Sequence, residues 1–297
     1  METNKNIAVI GATGMLGLPV VKELVNAGFI ITALVRDKAK AKKVLPKDVN
    51  IKVVNLQDKT ALTDSLKGID GIYLNLSVRP TEKKDDFNPE KEGLANVIEA
   101  SRKNKVRRIG YISSIISRDY SDIDWWVFDL KREAIDMIKQ SGIDYTIFYP
   151  SSFMENLNNT FIQGNKVNIV GKSLYKNWWI AGEDYGRQVS KSFGILKDGE
   201  NREYTIQGAE ALMTDEAVEI FVKHYKKQTL KIGKAPLGLL KFIGLFNPQL
   251  KYVSKILEVI NNCEEKFEAQ RTWDELGKPK ISVLKYTEQL NSLNEAE

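Results

Sequence analysis

Short, continuously apolar segments alternate with amphipathic segments along the first half of the chain. The apolar segments are rich in β-branched residues and predict strands, whereas the amphipathic segments have the spacing of helices with one buried face. Strands that are apolar at successive positions are typical of a parallel sheet covered by helices on both faces. The pattern therefore predicts an α/β, doubly wound Rossmann sheet with its ligand at the carboxyl ends of the strands. The predicted strands are 7–10, 30–35, 51–54, 71–76, 108–113 and 145–149, and the helices are 15–27, 60–67, 89–104 and 125–141.

The regular alternation ends at Pro150. Strand-like and helical segments continue beyond it without a fixed spacing, and the stretch 236–262 has a predominantly helical pattern. We predict a Rossmann domain at residues 1–150 and a smaller C-terminal α/β cap at 151–297, interwoven with the first and largely helical towards its end. The cap is expected to pack on the substrate side, at the carboxyl edge of the sheet. Its predicted elements are strands at 166–170 and 203–207 and helices at 183–196 and 214–226.

Composition and charge narrow the class of protein. Of the 297 residues, 42% are hydrophobic and 28% are charged, which is typical of a globular protein with a full core. Cys263 is the only cysteine, so an intramolecular disulfide is excluded and a reducing, cytoplasmic location is expected. His224 is the only histidine, and we expect no metal site. We expect a monomer or homodimer.

The basic clusters lie at helical spacing and are interpreted as solvated helix faces. The net charge of +5 is mild, and no nucleic-acid partner is expected. No segment reaches the roughly 18 apolar residues of a membrane span, and no membrane partner is expected.

A glycine-rich turn joins the first predicted strand to the first predicted helix. Gly11 lets the chain turn tightly, Gly14 removes a side chain where backbone approaches a pyrophosphate, and Gly17 permits close helix–sheet packing. The start of the following helix offers unpaired N–H groups to phosphates. Its position between a strand and a helix makes this turn a predicted dinucleotide site. The predicted contacts are Gly11, Thr13, Gly14, Met15, Leu16 and Gly17.

The end of the second predicted strand indicates which dinucleotide is bound. A site that prefers NAD(H) carries an acidic residue about twenty positions after the glycine turn, but here the strand ends in Arg36. A planar guanidinium suits a 2′-phosphate, and Lys40 adds positive charge from the next helix turn. Asp37 comes one place too late for the usual ribose contact. We therefore predict NADP(H) as the preferred cofactor and NAD(H) as the alternative.

With these motifs the chain resembles the atypical short-chain dehydrogenase/reductase family, specifically its NmrA-like branch. The resemblance covers nearly the whole length and begins with the glycine turn and the strand end at Arg36. It continues in Lys131 with Glu133. Further matching segments are Asn55-Leu56-Gln57-Asp58, Tyr111-Ile112-Ser113-Ser114, 141–147, 149–157 and 271–277.

The resemblance implies further cofactor contacts. Asn55 and Leu56 match positions beside the adenine, although aspartate is more usual at the first of them. Leu76 and Ser77 match backbone beside the cofactor after the fourth strand. Ser113 matches a strand-end position, where it could equally be a buried structural residue. The segment expected to border the nicotinamide contains Pro150, Ser152 and Phe153.

The usual catalytic tyrosine of the superfamily is absent. It would lie one helical turn before the lysine that holds the nicotinamide ribose, so that both side chains share one helix face. Lys131 matches this lysine, but the residue four positions earlier is Val127. Lys131 is predicted to bind ribose and to be the catalytic residue; the alternative is an exposed helix lysine. Tyr111, Tyr120 and Asp129 are candidate substitute proton donors.

The missing tyrosine limits the reactions that fit. Ketone reduction requires a well-placed acid, whereas a quinone delocalises the developing negative charge and requires less help. The first hypothesis is an NADP(H)-dependent oxidoreductase that transfers hydride to a small, apolar acceptor such as a quinone or carbonyl compound. The alternative is a non-catalytic NADP(H)-binding redox sensor or regulator. Both occur among proteins that this chain resembles.

The most apolar segment of the predicted cap is residues 236–246. Its sequence, Pro-Leu-Gly-Leu-Leu-Lys-Phe-Ile-Gly-Leu-Phe, is too short to span a bilayer. We interpret it as a pocket wall or lid that faces the nicotinamide; a membrane-surface helix is the alternative because lysines lie nearby.

Overall fold

The computed structural model describes residues 5–292, which form a parallel β-sheet with helices on both faces and a smaller mixed region beside it. The strands are β1 (Asn6–Ile10), β2 (Ile30–Val35), β3 (Asn50–Val53), β4 (Gly71–Leu74), β5 (Arg108–Ile112), β6 (Asp144–Pro150), β7 (Ile162–Gln163), β8 (Lys166–Val170), β9 (Asn177–Trp179), β10 (Arg202–Ile206), β11 (Glu210–Leu212) and β12 (Lys231–Ala235).

The helices mostly follow the amphipathic segments of the sequence. A π-helical turn, Pro89–Gly93, precedes one of them. The α-helices are α1 (Gly17–Asn26), α2 (Lys38–Val44), α3 (Lys59–Ser65), α4 (Leu94–Lys103), α5 (Ile115–Asp119), α6 (Trp126–Lys139), α7 (Glu155–Asn159), α8 (Gly182–Ile195), α9 (Thr214–His224), α10 (Leu237–Gly244), α11 (Pro248–Asn262), α12 (Gln270–Leu276) and α13 (Val283–Ser292).

The main sheet has seven strands in the order β10-β6-β5-β4-β1-β2-β3, and every pair in it is parallel. The chain order reverses between β1 and β4, which creates the crevice where doubly wound folds bind ligands. This confirms the predicted Rossmann fold. The seventh strand comes from the second half of the chain, where β10 pairs with β6. The main sheet therefore contains strands from both sides of residue 150. The division into 1–150 and 151–297 stays a prediction.

Helices cover the sheet and pack apolar side chains against both of its faces. On one face, Phe193 of α8 lies against two glycines in neighbouring strands. A Cβ atom would lie 3.0 Å from the Phe193 ring at Gly71 and 2.9 Å from it at Gly110. Small residues at these two positions therefore let α8, a helix of the second half, pack directly on β4 and β5.

The second half adds two small sheets beside the carboxyl edge. β9 pairs with β11, and β8 lies between β7 and β12. The stretch 236–262 is a helical hairpin: α10 ends at Gly244, and α11 begins at Pro248 after its N-cap Asn247. No helix among residues 5–292 has the length and apolarity needed to cross a membrane.

Candidate functional site

The glycine turn has a backbone conformation that side chains would block. Gly11 has φ +81°, and a Cβ atom there would lie 2.3 Å from the carbonyl oxygen of Asn75. A Cβ atom at Gly17 would lie 2.1 Å from the Gly11 carbonyl oxygen. Gly14 donates its N–H to that same oxygen at 3.0 Å. The turn is thus held against β1 and the residue after β4, as close backbone approach to a ligand requires.

The N-terminus of α1 follows this turn directly. Within the described chain, no side chain caps the helix at Leu16, and no acidic residue lies in its first turn. Thr13, Met15 and Leu16 lie in the segment that leads into it. Uncapped N–H groups and the positive end of the helix dipole suit an anion. The residues of this turn therefore fit a dinucleotide pyrophosphate.

Arg36 follows β2 and extends into solvent. It makes no hydrogen bond or ion pair with the residues between 5 and 292. Asp37 is occupied instead as the N-cap of α2, where its Oδ1 accepts from the Lys40 N–H at 3.0 Å. Lys40 is exposed in the first turn of that helix. A free guanidinium with a nearby ammonium fits a 2′-phosphate, and the neighbouring carboxylate has a structural role.

The residues matched to the adenine contacts lie beyond β3. Asn55 is exposed, and its Oδ1 accepts from the Gln57 N–H at 3.0 Å. Leu56 is half-buried, and its carbonyl oxygen accepts from Asn96 Nδ2 at 2.9 Å. The Leu56 side chain lies against Gly93, where a Cβ atom would approach it to 3.1 Å. This pair is thus placed at the carboxyl edge, on the same side as Arg36.

Lys131 lies at the carboxyl ends of β4 and β5. Its Nζ donates to the Leu76 carbonyl oxygen at 3.2 Å and to the Ile112 carbonyl oxygen at 3.5 Å. It also forms an ion pair with Glu90, whose side chain is fully buried. An ammonium group has three protons, so these acceptors match its donors in number. Lys131 is therefore a positioned, largely buried charge rather than an exposed helix lysine.

Glu90 is a site residue that the sequence analysis missed. Its Oε1 accepts from Lys131 and from the Tyr111 hydroxyl at 2.7 Å. Its Oε2 is buried and finds no hydrogen-bond partner among residues 5–292. The π-helical turn begins after Asn88, whose Oδ1 accepts from the Glu90 N–H at 3.0 Å. Such turns occur often at functional sites. In the sequence, Glu90 is one carboxylate in a charged segment that is predicted to be helical, and this signal alone does not identify it as a site residue.

The candidate proton donors are all occupied by other contacts. Tyr111 is fully buried, and burial together with Glu90 raises its pKa well above the ordinary value. The Tyr120 hydroxyl donates to the Glu264 carbonyl oxygen at 2.8 Å. Asp129 accepts from Arg132 Nη2 at 2.5 Å. The chain thus brings Tyr111 next to Lys131 through Glu90, but in a hydrogen bond that opposes loss of its proton.

Serines surround the end of β5. Ser113 is buried, and its hydroxyl lies 3.2 Å from that of Ser117. Ser114 caps α5 by accepting from the Ser117 N–H at 3.1 Å. Ser77, beyond β4, is exposed at the same edge of the sheet. Ser113 thus has an internal partner, whereas Ser77 faces solvent where the cofactor is expected.

The segment after β6 borders the second half of the chain. Pro150 ends β6, and the Ser152 carbonyl oxygen accepts from the Ile180 N–H at 2.9 Å. Phe153 is buried, with its ring 5.4 Å from the Tyr185 ring. Between them, Ser151 donates to the buried carboxylate of Glu265, whose pKa is raised, chiefly by burial. The structure therefore places Ser152 at the junction of the two halves and Phe153 in the core.

Aromatic side chains form a wall close to Lys131. The Trp125 ring lies 4.9 Å from the Phe128 ring and 5.2 Å from the Tyr252 ring of α11. Val127, at the usual tyrosine position, is buried in this cluster. Burial, with Glu90 and Glu82 contributing, raises the pKa of Tyr252 to about 12. The wall is therefore apolar and neutral near pH 7.

The apolar segment 236–246 is largely exposed in the structure. Large side chains of α10 and of the turn after it point into solvent, with Phe242 61% and Phe246 80% exposed. The interpretation of the segment as a wall or lid over the nicotinamide stays a prediction. Only α11, the second helix of the hairpin, reaches the aromatic wall, through Tyr252. Among residues 5–292, no three potential metal ligands lie close enough together to hold a metal ion.

Comparison with known proteins agrees with this geometry. A family model described as NAD(P)H-binding matches residues 11–173. The photosystem II assembly factor Ycf39 of Cyanophora paradoxa is 25% identical over 248 residues, which are 80% of this chain and 73% of that protein. Quinone oxidoreductase 2 of Escherichia coli (strain K12) is 30% identical over 152 residues, which are 50% of each chain.

Solved structures extend the likeness over almost the full length. The NADPH-dependent quinone oxidoreductase QOR2 of Escherichia coli, complexed with NADPH, matches with a TM-score of 0.70 at 20% identity. The match covers 96% of this chain and 99% of that one. It shows a shared fold, and the predicted resemblance to NmrA-like reductases is confirmed.

Proposed function

The chain belongs to the NAD(P)H-binding family, within the NmrA-like branch of the atypical short-chain dehydrogenases/reductases, and from this premise we propose that it is an NADPH-dependent reductase of a flat, apolar acceptor such as a quinone. The observation that carries the proposal is Lys131, fixed at the carboxyl ends of β4 and β5 beside an apolar wall. Relatives named as a quinone oxidoreductase and an NAD(P)H azoreductase support the reaction class.

In this proposal the cofactor is held by the segments that follow β1 and β2, by Lys131 of α6 and by Glu90 of the π-helical turn. The backbone of the glycine turn and the start of α1 bind the pyrophosphate, and Arg36 with Lys40 binds the 2′-phosphate. The preference for NADPH over NADH rests on the guanidinium of Arg36, which has no partner among residues 5–292. Lys131 reaches a ribose hydroxyl by giving up its longest contact, the one to the Ile112 carbonyl oxygen. The unpartnered Oε2 of Glu90 is an acceptor for a second hydroxyl.

The chemistry fits an acceptor that requires little acid catalysis. When bound, the reduced nicotinamide supplies a hydride, and the acceptor takes one further proton from solvent. The protein contributes orientation and exclusion of water by Trp125, Phe128 and Tyr252. The positive charge of Lys131 stabilises negative charge that develops on the acceptor. Glu90 keeps that charge in place, and Val127 contributes no proton.

A second function, an NADPH-binding regulator without turnover, is favoured by one specific observation. The acceptors around Lys131 already match its protons in number, and no tyrosine lies on the same helix face. Such a site can bind a reduced cofactor and hold it without a reaction partner. The relatives named as photosystem II assembly factors are compatible with a role of this kind.

One experiment separates the two functions. NADPH oxidation by the purified protein is measured against quinones, azo dyes, aldehydes and ketones, with NADPH affinity measured in parallel by fluorescence. Under the proposed function, quinones or azo dyes are turned over and ketones are not. Tight binding of NADPH without turnover of any acceptor would replace the proposal by the regulator. Absence of NADPH binding would overturn both.

A further inference from the structure

The hairpin of α10 and α11 carries the most exposed apolar surface among the described residues. We call it the hairpin surface and define it by the exposed side chains of α10 and of the turn that follows. Their exposed fractions range from 42% to 80%. Phe242 and Phe246 stack edge to face with ring centroids 6.0 Å apart. The members of the surface are Leu239, Phe242, Ile243, Leu245 and Phe246.

The surface is held by a well-formed hairpin rather than by a loose segment. Asn247 caps α11, and its Oδ1 accepts from the Gln249 N–H at 2.9 Å and the Leu250 N–H at 3.2 Å. Gly244 allows the close crossing of the helices, since a Cβ atom there would lie 3.0 Å from the backbone of Lys251. An ion pair of 2.7 Å joins Lys241 to Glu258 across the hairpin. These contacts fix α10 with its apolar side outward.

The charges beside the hairpin surface are predominantly positive. Residues 236–262 contain three lysines, Lys241, Lys251 and Lys255, and a single carboxylate, Glu258. Lys241 and Lys251 are exposed, and Lys255 is half-buried with 37% of its side chain exposed. A compact apolar face with lysines at its margin is the composition of helices that lie in the headgroup region of anionic bilayers.

We propose that the hairpin surface docks the protein onto an anionic lipid bilayer. The aromatic and aliphatic side chains enter the boundary between headgroups and acyl chains, and the lysines contact lipid phosphates. A second copy of the chain fits less well, because apposing two such surfaces brings like charges together. No helix of residues 5–292 can cross the bilayer, so the contact is confined to one leaflet.

The docking surface is continuous with the candidate site. α11 forms one side of the hairpin and also carries Tyr252, which packs on Trp125 near Lys131. Docking therefore brings the apolar wall of the site to the lipid. This consequence rests on the proposed function: an acceptor dissolved in the membrane reaches the nicotinamide without crossing water. The docking itself does not depend on turnover.

The test is vesicle flotation of the intact protein, without NADPH or acceptor. The protein is expected to float with vesicles of phosphatidylcholine and phosphatidylglycerol, and to bind phosphatidylcholine alone much more weakly. The double variant Phe242→Ser, Phe246→Ser is expected to lower the partition coefficient about 100-fold or more. The reason is that two large apolar side chains are no longer transferred from water into the bilayer. Lys251→Gln with Lys255→Gln is expected to lower it about tenfold or more, an effect that salt reproduces in the native protein.

Ile30→Ser is the matched control, because Ile30 is 51% exposed but lies at the start of β2, at the opposite edge of the sheet. It is expected to bind vesicles like the native protein. Circular dichroism and NADPH affinity check that each variant is folded. Equal binding to neutral and anionic vesicles, or no binding to either, would overturn the proposal. A dimer in sedimentation that Phe246→Ser dissociates would assign the surface to a second copy instead.

Discussion

Lys131 and Glu90 are 41 positions apart in the chain and form an ion pair in the protein interior. Only 15% of the Lys131 side chain and none of the Glu90 side chain is exposed. A buried carboxylate is tolerated when a cation and further hydrogen bonds compensate it, and here Tyr111 supplies one of those bonds. The same ion pair therefore stabilises the fold and positions Lys131 in the candidate site.

Removing one partner of this pair is expected to destabilise the protein more than removing both. Lys131→Met leaves the Glu90 carboxylate buried without its cation, which costs about 3–5 kcal/mol. Lys131→Met with Glu90→Gln removes the charge as well and is expected to recover most of this loss. Urea unfolding followed by circular dichroism measures the free energy of unfolding of each variant.

The control for this cycle is Glu133→Gln, since Glu133 lies on the same helix as Lys131 and is 51% exposed. It is expected to change stability by less than about 0.5 kcal/mol. Under the proposed function, NADPH oxidation is lost in both Lys131 variants and kept in Glu133→Gln. A Lys131→Met protein as stable as the native one would contradict a buried, ionised pair, and unchanged activity would remove Lys131 from the site.

Arg36 is expected to decide between the two cofactors. Arg36→Ala removes the group that we propose binds the 2′-phosphate, and the affinity for NADPH is expected to fall about 10- to 100-fold, as for a lost charge-assisted pair. The affinity for NADH, which has no 2′-phosphate, is expected to stay nearly unchanged. Fluorescence titration with each cofactor measures both constants. Lys43→Ala, an exposed lysine in the last turn of α2, is the control. An equal loss for both cofactors would refute the 2′-phosphate assignment.

Gly17 is expected to tolerate no side chain. Its Cβ atom would lie 2.1 Å from the Gly11 carbonyl oxygen, so Gly17→Ala must displace the turn and is expected to cost about 1–3 kcal/mol of stability. The affinity for NADPH is expected to fall as well, because we propose that the same turn binds the pyrophosphate. In Gly194→Ala the nearest atom, Phe29 Cζ, is 4.0 Å away. Because this helical position is exposed, Gly194→Ala is expected to raise the free energy of unfolding by up to about 1 kcal/mol. Two variants of similar stability would contradict the close approach at Gly17.

Glu155 is expected to make stability fall as the pH rises towards neutrality. Burial raises its pKa from 4.5 to about 7, while its Oε1 accepts from the Gly182 N–H at 2.8 Å. Between these values the folded state holds a proton that the unfolded state has lost, so the free energy of unfolding decreases with pH. Glu155→Gln removes this penalty and keeps the acceptor.

The free energy of unfolding of Glu155→Gln is thus expected to exceed that of the native protein by up to about 3 kcal/mol near pH 8. The difference is expected to be much smaller near pH 4. Urea unfolding at both pH values gives the difference directly, because other titrating groups cancel between the two proteins. Glu133→Gln again serves as an exposed control. A difference that is the same at both pH values would mean that Glu155 has an ordinary pKa.

The sequence by itself determined six of the seven strands of the main sheet, the glycine turn and the strand end at Arg36. These features follow from local patterns: continuous apolar segments predict buried parallel strands, and a glycine is needed wherever backbone must approach backbone. The position of Lys131 was also predicted, from its match to a family motif. Neighbouring residues are sufficient for such inferences because helix and strand periodicity are properties of short segments.

Only the tertiary structure decided what the charged and apolar side chains contact. Glu90 lies in a segment predicted as a continuous helix, but the π-helical turn directs it inward to partners 41 and 21 positions away. The segment 236–246 has the apolarity of a buried wall, yet nothing in its own sequence indicates that Phe242 and Phe246 lie in solvent. Burial is set by which distant elements pack on a side chain, and a local pattern does not contain that information.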